Sequence, residues 1–110
     1  MSGSIVILTG AGISVPSGLR PYRGEGGAWD EDPDAAALSN ATALDEHLPR
    51  LWTYWATARA QTLAAEPNAA HVAIAELQRR RADVTLVTMN VDGLHQRAGS
   101  TGVLEVHGNI

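Results

Sequence analysis

Ile5-Val6-Ile7-Leu8 is an unbroken apolar run that leads straight into Thr9-Gly10-Ala11-Gly12. A strand with water on one face alternates apolar and polar residues, so an unbroken run predicts a strand of a parallel sheet covered on both faces. The glycines that follow let the backbone turn sharply at the carboxyl end of that strand. Ala11 to Ser17 can then form a short helix that Gly18 terminates and Pro16 keeps to two turns.

Residues 19–34 carry Pro21, Gly24, Gly26, Gly27 and Pro33 with little periodicity, which predicts a long loop able to move over a ligand. From Asp34 to about Glu66 the composition is helical, and Pro49 divides it in two. Asn68 caps a further helix on which Ala70, Ala73, Ile74 and Leu77 recur at helical spacing. Arg79, Arg80 and Arg81 close it at the negative end of its dipole. Val84 to Thr88 reads as a second strand, Val91 to Ala98 as a short helix ended by Gly99, and Val103 to Val106 as a third strand.

Strand, helices, strand, helix, strand is the order of an α/β protein with a parallel, Rossmann-like sheet. With 110 residues the chain forms one unit, 1–110, since a chain of this size buries roughly two-thirds of its unfolded surface. Doubly wound sheets normally have more than three strands, so the domain is expected to be incomplete and further sequence to follow Ile110.

The net charge of -4 argues against binding a nucleic-acid backbone, which needs a basic stripe. Without cysteine the chain offers no disulfide, no thiolate zinc site and no thiol nucleophile. The first apolar run is too short for a signal peptide or a membrane span, and a cytoplasmic protein without membrane partners is expected.

Open parallel sheets bind ligands beyond the carboxyl ends of their strands. Here those positions hold Gly10-Ala11-Gly12-Ile13-Ser14, Asn90-Val91-Asp92 and His107-Gly108. They offer close backbone approach for a pyrophosphate, polar groups for a ribose or an amide, and an imidazole that titrates near neutral pH. The usual dinucleotide fingerprint has a third glycine where Val15 stands, so any nucleotide is bound in a variant mode.

Gly10 to Leu19, followed by Arg20-Pro21-Tyr22-Arg23-Gly24 and Gly27-Ala28-Trp29, resembles the first signature of the sirtuin family. Thr88-Met89-Asn90-Val91-Asp92-Gly93-Leu94-His95 resembles the second, and Val106-His107-Gly108 the third. The resemblance implies an NAD-dependent deacylase that removes acyl groups from protein lysine, releasing nicotinamide and O-acyl-ADP-ribose. It implies that NAD is lined by Gly10, Ala11, Gly12, Ser14, Gly18, Tyr22, Arg23, Trp29 and Met89. Asn90 and Asp92 would form the nicotinamide pocket and act in catalysis, and His107 would be the general base for a ribose hydroxyl. The partner is an acyl-lysine protein or peptide, and zinc belongs to a module beyond this chain.

Departures from the family pattern are specific. Met89 stands where the family usually has Gln, and Arg20-Pro21-Tyr22-Arg23 replaces Pro-Asp-Phe-Arg. The Tyr-x-x-Arg clamp for acidic acyl groups is absent at Tyr54, which is followed by Thr57, so acetyl or another neutral acyl group is expected. Two alternatives stay open: an NAD hydrolase or ADP-ribosyltransferase, and an inactive nucleotide-binding fragment. His47, His71 and His95 read as helix-surface or packing residues rather than metal ligands. Trp52, Tyr54 and Trp55 read as hydrophobic packing, and Asp92 can also cap the helix after it.

Overall fold

In the computed structural model, which describes residues 3–110, the opening apolar run is strand β1, Ile5–Thr9. Met1 and Ser2, part of the 1–110 unit expected from the sequence, lie outside the described residues. β1 pairs in parallel with β2, Val84–Thr88, and β2 in parallel with β3, Leu104–Glu105, giving the order β1-β2-β3. The register sets Ile5 opposite Val84, Thr9 opposite Thr88 and Thr88 opposite Glu105. All three strands therefore end at one edge. Just past that edge the pairing continues, with Met89 N–H donating to Thr9 O and Val106 N–H to Thr88 O, each at 3.0 Å.

Side chains alternate across a strand, so Val84, Leu86 and Thr88 share a face, and it is buried. The opposite face carries Val6 and Leu8, which are 66% and 64% exposed, and Leu104. The expectation that β1 is covered on both faces is thus corrected. Among the described residues helices pack on one side only at this strand, and the apolar run marks a second face that they leave open.

A 3₁₀ segment, Ala11–Ser17, follows β1 and stops at Gly18, whose φ of +92° suits glycine. The stretch predicted as a 16-residue loop, residues 19–34, is shorter than that. Its last part forms α1, Ala28–Glu31, and the start of α2, Pro33–Leu38. A single helical turn leaves no periodic signature in sequence, which is why it was not legible. The remaining loop folds back on α1, with Ala28 N–H donating to Pro21 O at 2.7 Å and Trp29 N–H to Tyr22 O at 2.8 Å. Arg20 pairs with Glu31 at 2.6 Å across the same bend.

The next helical stretch breaks earlier than Pro49. Ser39 Oγ donates to Ala35 O and Asn40 Oδ1 accepts from Thr42 N–H, local bonds that compete with helix continuation. After α3, Ala43–Glu46, helix α4 runs Leu48–Ala64 with Pro49 in its first turn, where a missing N–H costs little. Pro49 thus marks the boundary between two helical pieces, as the sequence predicts, and the break at Ser39-Asn40 is an additional one. Trp52 on α4 is 71% exposed, so only Tyr54 and Trp55 of the three aromatics are part-buried.

Helix α5, Ala69–Arg80, begins at Asn68 as predicted, packs against β2, and has Ala75 fully buried. Arg80 pairs with Glu76 one turn back, and Arg81 with Asp83. Helix α6 is only Leu94–Arg97, shorter than the predicted Val91 to Ala98, because Gly93 at φ +68° holds the chain out of helical conformation just before it. β3 is likewise shorter than Val103 to Val106. Among the described residues no helix is long and apolar enough to cross a membrane.

The loop bend has one sharp steric demand. A Cβ at Gly27 would lie 2.7 Å from the Arg23 carbonyl carbon and 2.8 Å from Gly24 O, both backbone atoms that cannot swing aside. Gly27→Ala is expected to lower stability by about 1–3 kcal/mol, read as a shift in urea midpoint at unchanged slope.

Candidate functional site

The strand ends bring a buried polar cluster together. Ser14, on the 3₁₀ segment, is buried, and its Oγ donates to Asp92 Oδ2 at 2.6 Å. The same oxygen receives His71 Nε2 at 3.3 Å and Asn90 Nδ2 at 3.4 Å. Asn90 Nδ2 also donates to Gly10 O at 2.9 Å, tying the turn after β2 to the turn after β1.

The proton positions follow from the partners. Asn68 N–H donates to His71 Nδ1 at 3.0 Å, so that nitrogen is an acceptor and the neutral ring carries its proton on Nε2, aimed at Ser14. The Ser14 hydroxyl then has its own proton free for the Asp92 carboxylate. Asp92 Oδ1 takes Leu94 N–H at 3.0 Å, so the predicted capping role is present alongside the contact with Ser14. Asn68 fastens the 3₁₀ segment as well, donating to Ile13 O at 2.8 Å and Ser17 Oγ at 2.9 Å.

Behind this cluster His95 is buried on α6, with its ring 5.0 Å from that of His71 and inclined at 72°. Of the two readings offered by the sequence, helix surface or packing, both histidines take the packing one, and each is in addition hydrogen-bonded to a hydroxyl of the first strand or its turn. Burial pushes both imidazoles below the ordinary value of 6.5; the His71 ring lowers His95 further, and Asp92 opposes the shift in both. His47 is exposed.

A cavity of about 330 Å³ opens in front of the cluster, between the loop, α2 and α4. Ser14, Asn90 and Asp92 form one end, and Tyr22, Tyr54 and Gln61 contribute to its wall. The Tyr22 phenol is pushed above 10.0 by burial, with Tyr54 and Asp92 adding to the effect, so it stands in the cavity as a neutral donor.

Of the residues singled out from sequence, Ala11, Ser14, Tyr22, Asn90 and Asp92 line this cavity. Gly10 and Gly12 flank Ala11, and Gly18 ends the segment. Arg23, Trp29, Met89 and His107 are not part of the cavity wall. Arg23 lies over the Trp29 ring at 5.0 Å, and Trp29 packs against Tyr22 at 5.5 Å. Met89 is exposed beside Gly10, and His107 is exposed past β3. Asn68 was read only as a cap, and the bonds by which it and His71 hold the site were missed, although their spacing is that of a capping box with His in place of Glu or Gln. Among the described residues no three His, Asp or Glu side chains converge as metal ligands would.

The family model described as the Sir2 family matches residues 10–110. The chain belongs to the Sir2 family. Among curated relatives, the NAD-dependent protein deacylase 1 of Caldanaerobacter subterraneus subsp. tengcongensis is 43% identical over 110 residues, covering 99% of this chain and 45% of its own length. A solved Sir2 homologue in complex with NAD superposes with a TM-score of 0.80 at 39% identity, over 96% of this chain and 40% of that one. A Sir2 complex with a deacetylated p53 peptide and 3'-O-acetyl ADP ribose superposes with a TM-score of 0.86 at 37% identity, over 97% and 43%. This Sir2-family chain thus spans a little under half the length of the relatives it matches.

The buried histidines give the site an acid limit. Their folded pKa values lie below 6.5, so the unfolded chain binds protons first as pH falls. Their contribution is full above 6.5 and is lost as pH drops through the lowered folded values. The urea midpoint is expected to fall between about pH 7.5 and about pH 5.5, above the range where carboxylates titrate, and to fall less in His71→Asn.

Proposed function

We propose that this protein removes acetyl or another neutral acyl group from protein lysine, consuming NAD and releasing nicotinamide and O-acyl-ADP-ribose. Membership of the Sir2 family carries the reading, together with relatives named as NAD-dependent protein deacylases and a related structure holding a deacetylated peptide. NAD supplies the ribose carbon to which the acyl oxygen bonds as nicotinamide departs.

The residues present suit that co-substrate. Among the described residues nothing lies within 4 Å of the place a Cβ would take at Gly12, which leaves the Ala11-Gly12 backbone open beside the cavity. A carboxamide needs both a donor and an acceptor, and the inner end of the cavity offers them. Asp92 accepts, Asn90 accepts through Oδ1 because its two Nδ2 hydrogens go to Gly10 and Ser14, and the Tyr22 phenol in the wall is the donor, while Ser14 fixes the orientation of Asp92 and Asn90. In this reading Gly10, Gly12 and Gly18 shape the turn that holds the dinucleotide. Tyr22 donates from the wall, Arg23 meets the phosphates, and Trp29 anchors the loop through its ring contacts.

His107 takes the proton of a ribose hydroxyl. It is exposed two residues past β3 and is followed by Gly108 at φ +77°. A positioned base of this kind is worth about 10²–10⁴ in rate. Met89 borders the dinucleotide turn with a thioether, which cannot donate to a ribose oxygen. The cavity wall from α4 presents Tyr54, Thr57 and Gln61 without an arginine, and Arg20, which lines the wall from the loop, is already paired with Glu31, which favours a neutral acyl group over an acidic one.

Mass spectrometry of the protein incubated with NAD, with and without an acetyl-lysine peptide, checks this. Nicotinamide and O-acetyl-ADP-ribose are expected only when the peptide is present. His107→Ala and Asp92→Asn should each lower the rate by about 10²-fold or more. Equal nicotinamide release without peptide would show an NAD hydrolase instead.

A further inference from the structure

We propose that His95, which does not line the cavity, is a positioning residue for Asn90 and acts on it through the hydroxyls of Thr9 and Thr88. The proposal rests on the reading of Asn90 as a residue of the co-substrate pocket.

The links are short and buried. His95 Nε2 lies 2.8 Å from Thr9 Oγ1, and Thr9 Oγ1 donates to Thr88 Oγ1 at 2.8 Å. Thr88 Oγ1 also receives the backbone N–H of Asn90 at 3.1 Å. Thr9 has one proton, and it goes to Thr88, so the remaining contact requires Nε2–H of His95 to donate to Thr9. The chain of donors therefore runs from His95 to Thr9 to Thr88, where it meets Asn90.

The sheet makes this possible. Thr9 and Thr88 are register partners on neighbouring parallel strands, so their side chains lie on the same face, the buried one. With Thr88 Oγ1 held from one side by Thr9, the N–H of Asn90 has a fixed acceptor two residues back. That turn sends the Asn90 amide onto Gly10 O and toward Ser14.

A residue needed only to fill space would be apolar, because an imidazole in this place leaves Nδ1 buried and without a partner among the described residues. On its other side the ring meets that of His71 edge to face. His71 holds Ser14 and His95 holds Asn90, so the histidine pair supports two neighbouring members of the pocket from behind.

The test compares Thr9→Val, which keeps the shape and removes the hydroxyl, with Thr9→Ser, which keeps the hydroxyl. His95→Leu and His95→Gln form a second pair, since the glutamine amide can restore a donor. The measurement is hydrogen exchange of the Asn90 backbone amide by NMR. The amide of Met89, bonded to Thr9 O and independent of the hydroxyls, serves as the internal reference.

Thr9→Val and His95→Leu should speed Asn90 exchange roughly 3–10-fold relative to Met89, while Thr9→Ser and His95→Gln stay near the unsubstituted protein. Unchanged Asn90 exchange in Thr9→Val overturns the proposal, as does an equal rise at Met89, which would mean general loosening of the sheet. If His95→Leu does not fold, the two Thr9 variants decide. The exchange needs no substrate, so a protein that releases no nicotinamide counts against the deacylase reading alone.

Discussion

Ser14 Oγ is the atom at which the separate parts of this site meet. It receives the His71 ring from α5 and the Asn90 amide from the turn after β2, and gives its proton to Asp92. A buried hydroxyl that lost these partners would carry the full cost of desolvation, whereas here its bonding capacity is filled. Every contact constrains the others. Moving the 3₁₀ segment away from α5 breaks the Asn68 bonds, and moving it away from β2 breaks those of Asn90.

This matters more because the apolar core is thin. Among the described residues half of the buried apolar side chains are alanines, and Leu38, Leu86 and Leu94 are the largest of the rest. Alanine offers little area for the hydrophobic effect to act on, at roughly 25 cal/mol per Å². Around the strand ends, buried Thr9, Ser14, His71, Thr88, Asn90 and His95 take up the interior instead. Satisfied polar networks define one arrangement where apolar packing alone would tolerate several.

What was legible in the sequence followed from strong local signals. The run Ile5 to Leu8, the cap at Asn68 and the β-branched run at Val84 each specify a single element, and the structure has all three. One-turn helices such as α1 carry no period to detect, and the break at Ser39-Asn40 depends on side-chain bonds that composition does not show. For the site, the positions after each strand were legible because parallel strands end together. The direction of each side chain was not. Asn90 and Asp92 turn inward onto Ser14, while Met89 between strand and pocket and His107 beyond β3 face outward. His71 and His95 were read as surface or packing residues because nothing in one dimension shows that hydroxyls from residues 9 and 14 will face them.

The contact between Gly10 and Met89 links two residues far apart in the chain. A Cβ on Gly10 would sit 3.1 Å from Met89 Cε, so the terminal methyl of one residue already occupies the margin that the other leaves empty. The obstacle is the end of a flexible chain, which can rotate aside. Positions 10 and 89 therefore form a single steric unit, and the space beside the first turn is shared between them. A larger residue at 10 is accommodated only where the Met89 side chain withdraws, so the room beside the turn after β1 is set by the pair.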